Sequence, residues 1–245
     1  MKNFFKKWWH GLFGLYLFIY LPCFSYLEKT VTAEYHLIHC PLDDIIPFCE
    51  YFIIPYYFWF IFIATACAYF FLRSQSEAVR MYSYLIIGMS IAVAIYFIFP
   101  NGLGNLRPAE FPRENACTKL VRFLYKADTS TNVLPSLHVY NTLVVLVAVF
   151  HSKTFGRYHT AVKVITSVIG ALICASTLFL KQHSVYDVIA AVIMAGALYP
   201  LIYHSKLFAR LNYNQISSGR YGNLPRRFSC QPYPASSSRY RELRT

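Results

Sequence analysis

The stretch MYSYLIIGMSIAVAIYFIFP, residues 81–100, runs for twenty residues without a charge, and NGLGNLRP follows it at 101–108. A hydrocarbon core about 30 Å thick is crossed by about 20 mostly apolar helical residues, so this stretch has the length of a membrane span ending in a polar cluster. The pattern recurs on both sides of it. Charge-poor runs of similar order occupy 8–27, 51–72, 135–151, 160–180 and 184–204. None alternates with the two-residue period of a barrel strand, and a lone span in lipid must satisfy its backbone internally, so each is expected to be a helix. The expected fold is all-α: a bundle of six transmembrane helices over 1–204, then a basic, disordered tail over 205–245 that is rich in Arg, Ser, Tyr and Pro.

Composition agrees with a bilayer protein. The 245 residues are 56% hydrophobic and 14% charged, with a mean hydropathy of +0.38. A net charge of +12 would suit nucleic acid in a soluble protein. Here the basic residues sit between and after apolar runs, where anionic membrane lipids are the natural partner and nucleic acid is not. Lys2, Lys6 and Lys7 before the first run suit a secretory signal, but no small-residue cleavage site follows, so the run reads as a retained span. The seven cysteines lack CxxC spacing. Cys40 and Cys49 share a polar loop and would be able to bridge if it faced an oxidising compartment; Cys67 and Cys174 read as small buried hydrophobes.

Orientation follows from the basic loops. Lys2, Lys6 and Lys7, then Arg73 and Arg80, then Lys153 and Arg157 mark one side as cytoplasmic, together with both termini. The loop with Glu28, Glu34, Asp43, Asp44 and Glu50 belongs to the other side, as do 101–134 and 181–183. Arg107, Arg113, Lys119, Arg122 and Lys126 oppose this assignment, unless that outer loop carries an anion-binding site. The expected location is an integral membrane protein, in the plasma membrane, with an extracytoplasmic site.

Three polar clusters stand at the outward ends of the spans: NGLGNLRP, NVLPSLHV and STLFLKQHSVYD. Ionisable groups at membrane depth are costly and tend to be functional. His183 and Asp187, four residues apart, would share one helix face if the last span has begun by then; the carboxylate would hold one ring nitrogen and leave the other free as a base or nucleophile. A histidine merely capped by a nearby acid has the same spacing. Pro135 and Ser136 look like a helix start, which places His138 in a first turn whose free N–H groups favour an anion. Arg107 offers a planar donor fork suited to phosphate, or simply flanks a span. His39, Asp43 and Asp44 form a short His/Asp grouping of the kind that is common without a metal.

Taken together, the clusters resemble the type 2 phosphatidic acid phosphatase (lipid phosphate phosphatase) superfamily. Its first block ends in Arg-Pro, as at Arg107-Pro108; its Pro-Ser-Gly-His block is matched by PSLH at 135–138; its third block matches in spacing at Ser176, His183 and Asp187. The resemblance spans the third to the sixth run. It implies a phosphohistidine mechanism without metal or cofactor, in which His183 attacks phosphorus, Asp187 holds its tautomer, and His138 protonates the leaving group and then activates water. Arg107, Ser136 and Ser176 carry over as phosphate-binding residues. The implied substrate is a lipid phosphomonoester or an isoprenoid diphosphate.

The departures bear on the substrate. The family's first-block lysine falls on Pro100, its third-block arginine on Thr177 and its glycine on Leu137. Lys181 and Arg113 are the nearby basic residues able to replace the missing cations, and Lys181 joins the phosphate-binding candidates. The leucine resembles branches that transfer phosphorylated headgroups between lipids. A diester carries about one charge against −1.5 to −2 on a monoester, so a thinner cationic clamp also fits a sphingolipid-synthase-like headgroup transferase.

Overall fold

The computed structural model describes residues 9–32 and 34–205. The N-terminal lysines and, apart from Ser205, the expected tail lie outside them. A 3-10 stretch, Trp9–Tyr16, leads into α1 (Leu17–Thr30). The other helices are α2 (Pro41–Ile45), α3 (Ile53–Arg73), α4 (Gln75–Ile98), α5 (Ala116–Ala127), α6 (Leu137–His151), α7 (His159–Phe179) and α8 (Val185–Tyr203). The two-residue strands β1 (His36–Leu37) and β2 (Asn101–Gly102) pair in parallel and join the loops that follow α1 and α4.

The architecture is the expected all-α bundle. Among the described residues five stretches are long and apolar enough to cross a membrane: Trp9–Thr30, Glu50–Arg73, Gln75–Ile98, Gly156–Phe179 and Val185–Tyr203. They make this an integral membrane type of chain, and they carry large apolar side chains such as Phe18, Ile61, Val164 and Ile193 on the exterior. The run expected as the fourth span forms the 15-residue α6, about 22 Å long at 1.5 Å per residue. It is the central helix: it packs against α3, α4, α7 and α8 and buries Val139, Tyr140, Val144, Val145, Ala148 and Val149, while Phe150 and His151 in its last turn are exposed. Its start also differs from expectation. Ser136, in extended conformation, is the N-cap, and Pro135 stands ahead of the cap, outside the first turn.

The contact between α4 and α6 is close. Tyr140 is fully buried, and its hydroxyl donates to the Tyr84 carbonyl at 2.6 Å. A Cβ added to Gly88 would lie 2.0 Å from Tyr140 Cζ. At the basic end, Ser74 caps α4 by accepting from the Glu77 N–H. The Glu77 carboxylate in turn accepts from Ser152 Oγ at 2.6 Å and the Lys153 N–H at 3.2 Å, tying the α6–α7 connection to the start of α4.

Candidate active site

The path to His183 begins where α7 ends. The Gln182 N–H donates to the Thr177 carbonyl at 2.9 Å and the Lys181 N–H to the Leu178 carbonyl at 3.0 Å. This is the Schellman pattern of crossed bonds, and it needs a left-handed residue after the C-cap. Lys181 adopts it at φ 53 where glycine is usual, at a cost of about 1–2 kcal/mol. Two bonds from its ammonium offset that cost: Nζ donates to the carbonyls of Asp43 and Ile46, each at 2.5 Å. The turn presents His183, whose own N–H also donates to the Thr177 carbonyl at 3.1 Å.

His183 therefore precedes α8, and it does not share a helix face with Asp187. Ser184 is the N-cap and Asp187 the third helical residue of a capping box. Asp187 Oδ2 accepts both the Ser184 N–H at 2.8 Å and His183 Nδ1–H at 3.3 Å. One carboxylate oxygen thus closes the helix start and orients the imidazole. Asp187 is fully buried and His183 is 7% exposed. With the proton on Nδ1, His183 Nε2 keeps its lone pair, and it has no hydrogen-bond partner among the described residues.

His138 enters from α6. Its ring centroid lies 5.8 Å from that of His183, and Trp59 at 4.4 Å and Tyr56 at 4.6 Å hold it in place. The segment before it is pinned by Asn101, whose Oδ1 accepts the N–H groups of Val133 at 2.9 Å and Leu134 at 2.8 Å. Tyr96 Oη donates to the Pro135 carbonyl at 2.7 Å. The Ser136 N–H donates to the Asp187 carbonyl at 3.1 Å, which locks the start of α6 to α8. The Ser136 hydroxyl accepts from the Val139 N–H. The amides of Leu137 and His138 have no acceptor among the described residues, so a helix N-terminus with two open donors lies beside the histidine pair.

The expected phosphate-binding side chains are placed unevenly. Arg107 comes close to His183 through Gln182, to which its Nη2 donates at 2.5 Å. Its other bonds go to the carbonyls of Asp128 at 2.9 Å and Thr129 at 2.7 Å, and the guanidinium covers the Tyr125 ring at 4.6 Å. Its Nε is buried without a partner, as is Gln182 Nε2. Burial holds the guanidinium below its ordinary value, opposed chiefly by Asp128. Asp128 accepts from Tyr56 Oη at 3.2 Å; burial and then Glu28 push its carboxyl up, while Arg107 and His183 pull it back. Ser176 lies buried and donates to the Ile173 carbonyl at 2.6 Å, which turns its hydroxyl into its own helix. Lys181, bound to the carbonyls of Asp43 and Ile46, anchors the first loop. Ser136 is a cap whose hydroxyl faces its own helix start.

Asp43, which the sequence offers only as part of the His/Asp grouping of the first loop, has a different part in the structure. It is 2% exposed. Its Oδ2 accepts from the Cys40 N–H at 2.8 Å and Ser184 Oγ at 2.5 Å, and its Oδ1 from the Val185 N–H at 2.8 Å. The acidic loop thereby braces the residue next to His183. A PLDD stretch signals a helix start, but nothing local reveals that its carboxylate caps a second helix 140 or so positions on. Asp43→Ala should leave three buried donors unpaired and cost about 3 kcal/mol. The check is a lower apparent melting temperature in detergent, with a milder loss for Asp43→Asn, which keeps one acceptor. Because Asp43 faces α8, it does not converge with His39, which pairs with Asp44 at 3.0 Å. Cys40 and Cys49 are free thiols, so the bridge considered for that loop is not formed. The cleft of about 640 Å³ between 37–48 and 103–106 is lined by Lys181 and His39, but not by His138 or His183.

No curated protein and no solved structure matches the chain. The family model described as the PAP2 superfamily matches residues 81–210, which include both histidines, Asp187 and Arg107. That match covers more than half of the 245 residues, and the paired histidines sit within it: the chain belongs to the PAP2 superfamily.

Proposed function

We propose that the protein is a membrane phosphatase that removes phosphate from a lipid phosphomonoester or an isoprenoid diphosphate through a phosphohistidine on His183. The observation that carries this reading is the 5.8 Å pair of imidazoles, one of them oriented by Asp187. His183 Nε2 attacks phosphorus as the bond from phosphorus to the leaving oxygen breaks, the lipid oxygen of a monoester or the bridging oxygen of a diphosphate, and protonated His138 delivers its proton to that oxygen. In the second step His138 takes a proton from water, the resulting hydroxide attacks phosphorus, and the N–P bond breaks to free inorganic phosphate. The amides of Leu137 and His138, with Arg107 Nε and Gln182 Nε2, are the donors left to meet the phosphoryl oxygens. Nucleophile and acid are both side chains, so no metal enters the scheme. The basic loops support an extracytoplasmic position for the histidine end, in the plasma membrane.

A second reading rests on the cation count. Arg107 Nη1 and Nη2 and Lys181 Nζ already bond acceptors of the protein, and Pro100 and Thr177 stand where the family has cations. A clamp this thin suits a diester, as in headgroup transfer. Phosphate release should be measured from a panel of lipid phosphomonoesters and diphosphates, in EDTA, on purified full-length protein. Release that persists in EDTA is expected. Headgroup exchange from a phosphodiester donor to a lipid alcohol, with no release from any monoester, would replace the phosphatase reading with the transferase.

A further inference from the structure

The basic residues of the loop after α4, which oppose the positive-inside pattern, are not equally engaged. Arg107 holds carbonyls. Arg113 Nε stands 3.7 Å from Glu50, and Arg122 pairs with Glu114 and covers the Phe111 ring at 4.9 Å. Lys119 and Lys126 are exposed and have no hydrogen-bond or ion-pair partner among the described residues. Both stand on α5, together with exposed Leu120 and Phe123.

The arrangement around α5 is ordered. At about 100° per residue, Lys119, Arg122 and Lys126 fall within about 60° of one another, and Leu120 and Phe123 form a neighbouring edge about 60° wide. Thr118, Val121 and Leu124 face the opposite way and are buried. Val121 and Leu124 cluster with Ile53, Tyr56 and Leu180, and Tyr125 Oη donates to the Leu180 carbonyl at 2.7 Å. The helix is therefore fastened to the histidine end of the bundle along one side. Its free side has an apolar edge beside a cationic edge, the division found in helices that lie in a membrane interface.

We propose that α5 is an interfacial helix that docks the anionic lipid surface of the leaflet facing the His183 end. Leu120 and Phe123 enter the acyl boundary, and Lys119 and Lys126 meet headgroup phosphates. The site is distinct from the phosphoryl-transfer centre and holds whether or not His183 forms a phosphoenzyme. It explains why an outer loop retains cations: they face headgroups, while Arg107, Arg113 and Arg122 are bound to the protein. It also brings anionic lipid to the rim of the histidine pair, since the C-cap of α5 is Asp128, whose carbonyl Arg107 holds.

The test uses the full chain in vesicles at low salt, with photoactivatable phosphatidylglycerol or phosphatidylcholine carrying the reactive group near the headgroup, and maps adducts by mass spectrometry. Adducts from phosphatidylglycerol should concentrate on 116–127 over those from phosphatidylcholine. The Lys119→Gln/Lys126→Gln variant should lose that excess by about 25-fold, roughly 5-fold per lysine, and salt should erode it in the wild type. Leu120→Ser/Phe123→Ser should reduce labelling by both lipids. Surface changes of this kind leave the fold intact. Equal labelling of 116–127 by the two lipids, or an excess that survives in the lysine variant, would overturn the proposal; neither result depends on catalytic activity.

Discussion

His183→Ala is expected to lower phosphate release by about 10⁴-fold or more, the scale of losing a covalent nucleophile. His138→Ala should lose about 10²–10⁴-fold, the range of a general acid–base group. The two are separable by leaving group. With p-nitrophenyl phosphate the leaving oxygen needs no proton, so His138→Ala should still form the phosphohistidine but hydrolyse it slowly. The expected record is a burst of nitrophenol followed by a slow phase, with acid-labile label retained on the protein. His183→Ala should show neither burst nor label. A burst from the His183 variant would move the nucleophile elsewhere, and equal behaviour of the two variants would remove the division of roles. The geometry behind this expectation is that Asp187 holds Nδ1 of His183, leaving Nε2 free, while His138 is held by aromatic rings instead of an acid.

The second large effect lies far from the chemistry. Gly88→Ala should place a methyl carbon 2.0 Å from Tyr140 Cζ and 2.1 Å from its hydroxyl. Tyr140 cannot give way cheaply, because it is fully buried in the central helix and its hydroxyl is bonded to the Tyr84 carbonyl. Either α4 moves off α6 or the ring leaves its site, at a cost of about 3 kcal/mol or more. In a chain of this size that is a fall of about 6–12 °C in apparent melting temperature. Removing the ring in a Gly88→Ala/Tyr140→Leu double variant should recover part of the loss, since coupled neighbours are not additive. A Gly88→Ala protein that melts with the wild type would show that the helices separate without cost.

Proximity to the chemistry does not set the size of these effects. His183 and Gly88 are both positions where the tertiary structure leaves one arrangement open: a buried imidazole beside two helices joined through Ser136 and Asp187, and a helix contact with no room for a methyl group. Asp43 lies between the two cases. It touches no reacting atom, yet it carries the start of α8 and thus the residue next to His183.

The sequence by itself determined the helical class and the approximate positions of the apolar helices, and it singled out His138, His183 and Asp187 as candidates. Span length and charge scarcity are local properties that the bilayer reads one run at a time, and the three short motifs keep their order along the chain. Only the tertiary structure decided which run is central, because the packing of α6 against α3, α4, α7 and α8 is a set of long-range contacts that no single run displays. Tertiary structure also decided the engagement of the cations. Arg107 and Lys181 look alike as phosphate ligands in a sequence, but a buried donor bonds whatever acceptor the fold places within reach, and here those are the carbonyls of 125–129 and of Asp43 and Ile46. The part played by Asp43 was illegible for the same reason: its partners lie at Ser184 and Val185, and a contact across that much chain leaves no trace in local spacing.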